Sequence, residues 1–293
     1  MEEFPRGGET VTREVAIPVA PFWGDHHLSG QTVLPAVEAL QLLARSLPNG
    51  SGVLPLIQEQ VTFRHLLMIS PEQRELTVLA EYARAADGGI LARLLTVRAG
   101  RQSAVTRRIE HAVVRFVLRR DGHVGAADES DFLLAESAVG EGEPFVVSAA
   151  RLYDELVPFG AAYRNVLDEV RMTPDGATAR ISGGVFPEAD GPLGSPFPFD
   201  AALHVACAWG QRYLGLVSFP VAFARREIHC PTKAGAAYRC RVVPLGEDTP
   251  GSLRFDLALY HDDGGIAEIV RGIEMRDIAS GRRLPPAWIR EGL

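Results

Sequence analysis

The chain has 293 residues, of which 46% are hydrophobic and 23% are charged, a composition typical of globular proteins. Its formal net charge of −7 argues against a nucleic-acid binder, which would carry a basic surface. No apolar run approaches the ~20 residues that cross a bilayer, and the acidic N-terminus lacks the apolar core of a signal peptide. These features predict a cytoplasmic protein that binds neither nucleic acid nor membrane.

The first part of the chain is predicted to contain one strand, one helix and then several strands. Residues 10–19 alternate in polarity, which is typical of a strand. Pro35 suits the first turn of a helix, because the N–H that proline lacks would be unpaired there. This helix has a broad apolar face, and Glu38, Gln41 and Arg45 lie on its opposite face. Strand-like runs follow at residues 54–65, 75–83, 91–97 and 108–118.

A change of composition divides the chain. Gly, Ala and acidic residues dominate residues 121–145, which predicts a linker between an N-terminal domain (1–120) and a C-terminal domain (146–293). The second part has a short helix at 149–156, capped by Ser148, and a long helix at 201–214 that is apolar almost all round, as buried helices are. Strands are predicted at residues 165–172, 178–183, 222–230, 236–243, 253–260 and 266–278.

The order of elements in the two parts predicts an internal duplication. Each part combines one long helix with several strands whose spacing is too short for repeated βαβ units. The sequence therefore predicts an α+β fold built from two copies of a unit in which an antiparallel sheet wraps a central helix. The three cysteines, Cys207, Cys230 and Cys240, are not spaced as metal ligands, so we expect reduced thiols and no metal.

Two short motifs stand at the starts of the two long helices. Residues 24–35 read G-D-H-H-L-S-G-Q-T-V-L-P and place His26, Gly30 and Pro35 in an H-x3-G-x4-P pattern. Asp200 and His204 form a D-x3-H pattern. Their joint occurrence resembles the dehydratase domains of polyketide synthases, over nearly the whole chain. The resemblance implies a double hotdog fold, with the catalytic His in the first hotdog and the catalytic Asp in the second.

The chemistry of dehydration explains why these residue types suit the task. Removing water from a β-hydroxyacyl thioester needs a base for the α-proton and an acid for the leaving hydroxyl. His26 suits the base, because an imidazole titrates near neutral pH. Asp200 suits the acid if flanking aromatic residues bury it and raise its pKa. The resemblance implies the same two roles, and it implies that His204 orients Asp200 and the substrate hydroxyl.

The charge that develops on the thioester oxygen needs hydrogen-bond donors. We expect these to be backbone N–H groups at the N-terminus of the first helix, around Val33 and Leu34. Gly30 has no side chain, so the thioester could approach its backbone closely. Pro35 is expected to be partly structural.

The sequence departs from the family in one segment. Where the family carries Y-G-P-x-F, this chain has Phe159, Gly160, Ala161, Ala162 and Tyr163. If the family's Tyr hydroxyl holds the β-hydroxyl of the substrate, that contact is missing here or is supplied by Tyr163 from another position. The departure leaves open a same-fold cyclase or double-bond isomerase that uses the same His/Asp pair.

Other interpretations of the single residues also stay open. His26 could be a turn residue, Asp200 a helix N-cap, and His204 a buried core residue. His26 and His27 are adjacent but lack a third ligand, which makes a poor metal site. A degenerate hotdog that binds an acyl chain without catalysis is a further alternative.

The resemblance also implies the partners. The substrate would arrive on the phosphopantetheine arm of an acyl carrier protein, with no other cofactor, and polyketide synthase components and a second copy of the chain are further expected partners. Because carrier proteins are acidic, we expect a basic patch. Its candidates are Arg107–Arg108, Arg119–Arg120 and Arg225–Arg226. A freestanding hydro-lyase and an excised domain are both compatible with the sequence.

Overall fold

The computed structural model describes residues 10–48, 51, 53–99, 106–117, 143–278 and 281–291. Residues 121–142 of the predicted linker and the pair Arg119–Arg120 lie outside the described residues. Among the helices that are described, none is long and apolar enough to cross a membrane.

The first half contains helix α1 (Ala36–Arg45) among eight described strands. Pro35 immediately precedes α1, and its carbonyl accepts the N–H groups of Glu38 and Ala39 at 3.1 and 3.0 Å. The predicted helix start is thus confirmed to within one residue. The strands are β1 (Thr10–Pro18), β2 (His27–Leu28), β3 (Gln31–Val33), β4 (Ile57–Phe63), β5 (Met68–Ile69), β6 (Glu75–Arg84), β7 (Ile90–Ala99) and β8 (Thr106–Phe116).

The second half is built around a longer helix, α3 (Phe197–Tyr213). Ser148 caps the short helix α2 (Ala149–Arg151), because its hydroxyl accepts the N–H of Arg151, and a π-helical turn at Leu152–Leu156 continues α2. Helix α4 (Ala287–Arg290) lies near the end of the chain. The strands are β9 (Phe145–Ser148), β10 (Val166–Thr173), β11 (Gly176–Ser182), β12 (Phe219–Ile228), β13 (Ala237–Thr249), β14 (Ser252–His261) and β15 (Ile266–Arg276).

The strands form one large antiparallel sheet in the order β1-β6-β7-β8-β4-β12-β15-β14-β13-β11-β10-β9. Its two parts come from the two halves of the chain, which confirms the α+β class and the duplicated arrangement. The halves are nevertheless joined, because β4 pairs with β12 in the register Val61 to Phe223. A second sheet, β2-β3-β5, carries the segment that follows His26.

The two long helices lie inside the sheet and contact each other. Helix α3 is buried from Phe197 to Arg212, as its apolar sequence predicts. Helix α1 is buried as well, and its polar side chains Glu38 and Gln41 are 2% and 1% exposed. The amide of Gln41 donates to the carbonyl of Gly194 and accepts the N–H of Leu193. The polar face of α1 is therefore an internal contact with the second half.

Candidate active site

His26 lies between a short 3-10 helix (Pro21–Asp25) and strand β2. Its Nδ1 is 2.9 Å from the carbonyl oxygen of Val33. Because a carbonyl can only accept, Nδ1 carries the proton and Nε2 keeps its lone pair. The backbone of His26 is held as well, since its N–H donates to Trp23 and its carbonyl accepts from Val33. The imidazole is thus fixed in the tautomer that leaves Nε2 able to accept a proton.

Aromatic rings from the second half enclose the His26 side chain. Phe159 stacks on the imidazole with a centroid distance of 4.4 Å and an interplanar angle of 28°. Tyr163 meets it edge-on at 5.1 Å. Burial lowers the pKa of His26, against the opposing effects of the Asp200 charge and the Val33 hydrogen bond. The ring is therefore neutral, and able to act as a base, at neutral pH.

Asp200 lies in the first turn of α3 and is 5% exposed. The helix begins at Phe197, earlier than predicted, and the N–H of Asp200 donates to the carbonyl of Pro196. Asp200 is therefore inside the helix, so its interpretation as an N-cap is wrong. Phe197 and Phe199, which precede it in the helix, are fully buried too.

His204 faces Asp200 from one turn further along α3. Its Nε2 lies 3.1 Å from Oδ2 of Asp200, close but not aligned for a hydrogen bond. The hydroxyl of Tyr153 accepts the N–H of Val166 at 2.9 Å and lies 3.4 Å from Nδ1 of His204. The Tyr153 proton can therefore point to Nδ1, which leaves the His204 proton on Nε2, towards Asp200.

Asp25 joins the two halves of the site. Its carbonyl accepts the N–H of Gly160, and its carboxylate accepts the N–H of Ala162, both at 2.8 Å. A Cβ atom at Gly160 would lie 2.3 Å from Oδ1 of Asp25. Only glycine therefore fits where the second-half segment crosses Asp25. This contact sets the position of the neighbouring Phe159, whose ring lies between those of His26 and His204, 5.0 Å from the latter.

Tyr163 is the other aromatic residue of this segment. It is fully buried, and its hydroxyl has no hydrogen-bond partner within the described residues. Burial raises the pKa of Tyr163 well above its usual value, and the charges of Glu38, Asp200 and Asp25 act in the same direction. Tyr163 therefore lies among the acidic groups of both halves, and it is protonated at neutral pH.

The predicted oxyanion donors are already engaged. The N–H of Val33 donates to the carbonyl of His26, and that of Leu34 donates to Leu67, both at 2.9 Å. The prediction required both N–H groups to be free for the substrate, and it is wrong because each already donates to a backbone carbonyl. Gly30 and Ser29 form the two-residue turn between β2 and β3 with φ of 77° and 53°. A glycine suits position 30 because the backbone there is left-handed, a conformation that favours glycine.

Four residues near the site are absent from the predicted set. Asp25 and Trp23 precede His26 closely in sequence, and Glu38 follows Pro35 on the first turn of α1. Burial raises the pKa of Glu38 to about 7. The sequence signal that could have identified these three residues is their proximity to the H-x3-G-x4-P motif. No sequence signal identifies Tyr153, because only the fold brings it to His204.

The remaining predicted residues do not extend the site. His27 lies in β2, half-buried. Of the candidate basic pairs, Arg225–Arg226 is wrong, because Arg226 is buried against Glu268 and Arg225 pairs with Glu59 and Glu227. No group of three His, Cys, Asp or Glu side chains suited to a metal occurs in the part of the chain that the structure describes. A concave surface of about 580 Å³ lies on the outer face of β10, β11 and β13, and none of the predicted site residues lines it.

Sequence comparison assigns the chain to a family. The family model described as the polyketide synthase dehydratase N-terminal domain matches residues 135–285, a little over half of the chain. The chain belongs to the polyketide synthase dehydratase family. No curated protein matches the sequence significantly.

Solved structures of dehydratase domains share the fold. The chain is similar to the dehydratase domain of a mycocerosic acid synthase-like polyketide synthase, at 17% identity and a TM-score of 0.71, over 92% of this chain and 95% of that one. A trans-AT polyketide synthase dehydratase domain from Brevibacillus brevis gives 20% identity and a TM-score of 0.68, over 92% and 94%. A bifunctional dehydratase-cyclase domain in ambruticin biosynthesis gives 18% and 0.68, over 94% and 93%. At these identities the likeness shows the fold, a double hotdog.

Proposed function

We propose that this chain is a hydro-lyase that removes water from a β-hydroxyacyl thioester carried on an acyl carrier protein. The observation that supports this most is the convergence of His26 from the first half and Asp200 from the second. They are close enough for the Asp200 charge to affect the pKa of His26, and the ring of Phe159 packs against both His26 and His204.

The reaction begins at Nε2 of His26. This atom takes the proton from the carbon next to the thioester carbonyl. Nδ1 keeps its own proton, which is hydrogen-bonded to the Val33 carbonyl. The Asp200 carboxyl gives a proton to the β-hydroxyl, which leaves as water while the double bond forms. His204 faces the Asp200 carboxyl and holds its orientation. For the next turnover the proton on His26 passes to Asp200, or it leaves to solvent while Asp200 takes a proton from solvent.

The charge on the thioester oxygen needs donors other than Val33 and Leu34. The first N–H groups of an α-helix have no carbonyl acceptor within the helix, and α1 begins at Ala36. We assign the oxyanion role to the N–H groups of Ala36 and Val37, which follow the predicted residues in sequence and begin helix α1. The positive end of the α1 dipole acts in the same direction. No metal or other cofactor takes part in the proposed reaction.

The test is a mass-spectrometric assay of a panel of β-hydroxyacyl thioesters on carrier protein. Wild type should remove one water, and His26→Ala and Asp200→Asn should each reduce the rate by roughly 10²–10⁴-fold, the usual contribution of a general base or acid. Circular dichroism would establish that the variants are folded. Tight binding of a thioester without any turnover by wild type would contradict the proposal and support a non-catalytic acyl-binding hotdog.

One observation favours a second function on the same residue pair. Phe159 stacks on His26 where the family's motif has a tyrosine, and the Tyr163 hydroxyl is buried beside it. A changed contact to the β-hydroxyl would suit a cyclase or a double-bond isomerase. Adding to the panel an α,β-unsaturated thioester, and one that also carries a distal hydroxyl, distinguishes these reactions from dehydration. Isomerisation and cyclisation of these substrates leave the mass unchanged and give a new chromatographic species.

A further inference from the structure

Four buried polar atoms around the site have no hydrogen-bond partner within the described residues. They are Trp23 Nε1, Glu38 Oε1, Tyr163 Oη and Asp200 Oδ2. Each of the four residues is at most 5% exposed. Buried polar groups in folded proteins are nearly always paired, so a cluster of unpaired ones indicates a function. The proposed reaction uses Asp200 and leaves Trp23 and Glu38 without a role.

These atoms belong to one cluster between the two halves. The indole N–H of Trp23 lies near enough to the Glu38 carboxyl to lower its pKa, against the effect of burial, but is not aligned with it for a hydrogen bond. Asp200, from α3, and Arg45, from α1 itself, are the charged groups that act on Glu38. Glu38 in turn acts on Tyr163, whose ring contacts His26. The Glu38 carboxyl is therefore close enough to Asp200 and Tyr163 for their charges to affect one another, without belonging to the proposed acid and base pair.

The chemistry of the cluster suits a hydroxyl group. The indole N–H can only donate, a carboxylate oxygen accepts, and a hydroxyl does both. A plain hydrocarbon chain would leave the indole N–H and Oε1 of Glu38 without an aligned hydrogen bond, which is unfavourable in a buried site. Sites built to hydrogen-bond a substrate hydroxyl discriminate strongly against analogues that lack it.

We propose, on the basis of the dehydratase function above, that Glu38 is a positioning residue that binds a second hydroxyl of the acyl chain, with the indole of Trp23 as donor. The substrate class is then a polyhydroxylated acyl thioester rather than a plain β-hydroxyacyl chain. The second hydroxyl lies beyond the β-carbon, and its hydrogen bonds align the chain between His26 and Asp200.

The experiment compares substrates of one chain length on carrier protein. They are the 3-hydroxyoctanoyl thioester and three dihydroxy analogues, with the second hydroxyl on carbon 5, 6 or 7. Initial rates of water loss give kcat/KM for each. Wild type should favour at least one dihydroxy substrate by about tenfold, the effect of one good hydrogen bond. Equal kcat/KM for the plain chain and all three analogues would overturn the inference while leaving the dehydratase function intact.

Variants of Glu38 attribute the preference to its carboxyl. In Glu38→Leu the ratio of dihydroxy to plain kcat/KM should fall to about one, whatever the absolute rates. The isosteric Glu38→Gln should keep part of the preference. In wild type the ratio should change across pH 7, because the pKa of Glu38 is about 7. In Glu38→Gln the ratio should not change with pH. A ratio that Glu38→Leu and Glu38→Gln leave unaltered would overturn the inference.

Gln41→Leu is the matched control. Gln41 is equally buried on the same helix, but its amide is paired with Gly194 and Leu193. This variant should lose stability without any change in the substrate ratio. A loss of the ratio in Gln41→Leu as large as in Glu38→Leu would mean that general disturbance of α1 is responsible. Absence of water loss from every substrate by wild type would instead overturn the dehydratase function, and this inference with it.

Discussion

The two halves of this double hotdog share an architecture but hold their reactive groups differently. In the first half His26 precedes a short hairpin, and backbone groups of Trp23 and Val33 fix it. In the second half Asp200 lies inside helix α3, and side chains such as His204 surround it. Backbone hydrogen bonds set the tautomer of a base, whereas a helix in a buried environment holds a carboxyl in place. The duplicated fold thus supplies two unlike chemical environments that meet at one site.

The central helices differ in the same way. Helix α3 is apolar almost throughout, as expected for a helix inside a sheet. Helix α1 is amphipathic, yet Glu38 and Gln41 on its polar face are buried against the second half. A polar stripe on a helix therefore marks an internal contact here. Four substitutions test how far the site and the stability of the protein depend on contacts between the halves.

The largest effect is expected from Gly160→Ala, which breaks the Asp25 contact between the halves. The new Cβ would lie 2.3 Å from Oδ1 of Asp25, so the segment that carries Phe159 must move. A displacement of about 1 Å costs roughly a hundredfold in rate, and we expect that loss in the dehydration assay.

Gly24→Ala is the control, because a Cβ there meets nothing within 4 Å. It should leave the rate within about twofold of wild type, since open surface substitutions are nearly neutral. Full activity in Gly160→Ala would show that the segment tolerates displacement and would remove the proposed link between the halves.

The next effect concerns the pH dependence of stability through Glu38. Its pKa is raised from 4.5 to about 7 in the folded protein, so the folded state keeps a proton that the unfolded chain loses. The stability of wild type relative to Glu38→Gln should therefore fall as the pH rises from 4.5 through 7, by about 3 kcal/mol at most, and then level off. Urea denaturation at several pH values measures this difference, and a flat difference would mean that Glu38 is solvated.

Removing the Gln41 contact should have a moderate effect on stability. Gln41→Leu leaves the Gly194 carbonyl and the Leu193 N–H without their partner. We expect a loss of about 1–3 kcal/mol in the free energy of unfolding. The same substitution at the exposed Gln31 should change it by less than about 0.5 kcal/mol. Equal effects at the two positions would mean that the junction between the halves contributes little.

The smallest expected effect is a shift in the pH profile. The proposed base is the neutral form of His26, and burial lowers the pKa of this residue. Activity should therefore fall on the acid side at a pH below the usual imidazole range. Phe159→Ala removes the stacked ring, so water reaches the imidazole and the acid limb moves to higher pH. Phe145→Ala, at a ring stacked on Trp288, should leave the limb in place.

Local patterns in the sequence predicted much of the fold. Alternating polarity located β1, and strand-like runs located β6, β7 and β8. Helical periodicity located α1, and an almost wholly apolar run located α3. These signals depend only on neighbouring residues. Motif resemblance led to the candidate site residues His26, Asp200 and His204, whose roles remain predictions. The pairing of β4 with β12 was not predictable, because it joins strands more than 150 residues apart, and no local pattern specifies such a partner.

By itself, then, the sequence determined the duplicated α+β fold, the family and the identity of the paired motifs. The tertiary structure decided what each residue contacts. It placed Asp25 against Gly160, buried Glu38, and engaged the N–H groups of Val33 and Leu34 in backbone hydrogen bonds. The physical reason is that hydrogen bonding and burial depend on which distant segments meet. The packing of the two halves as a whole sets those contacts.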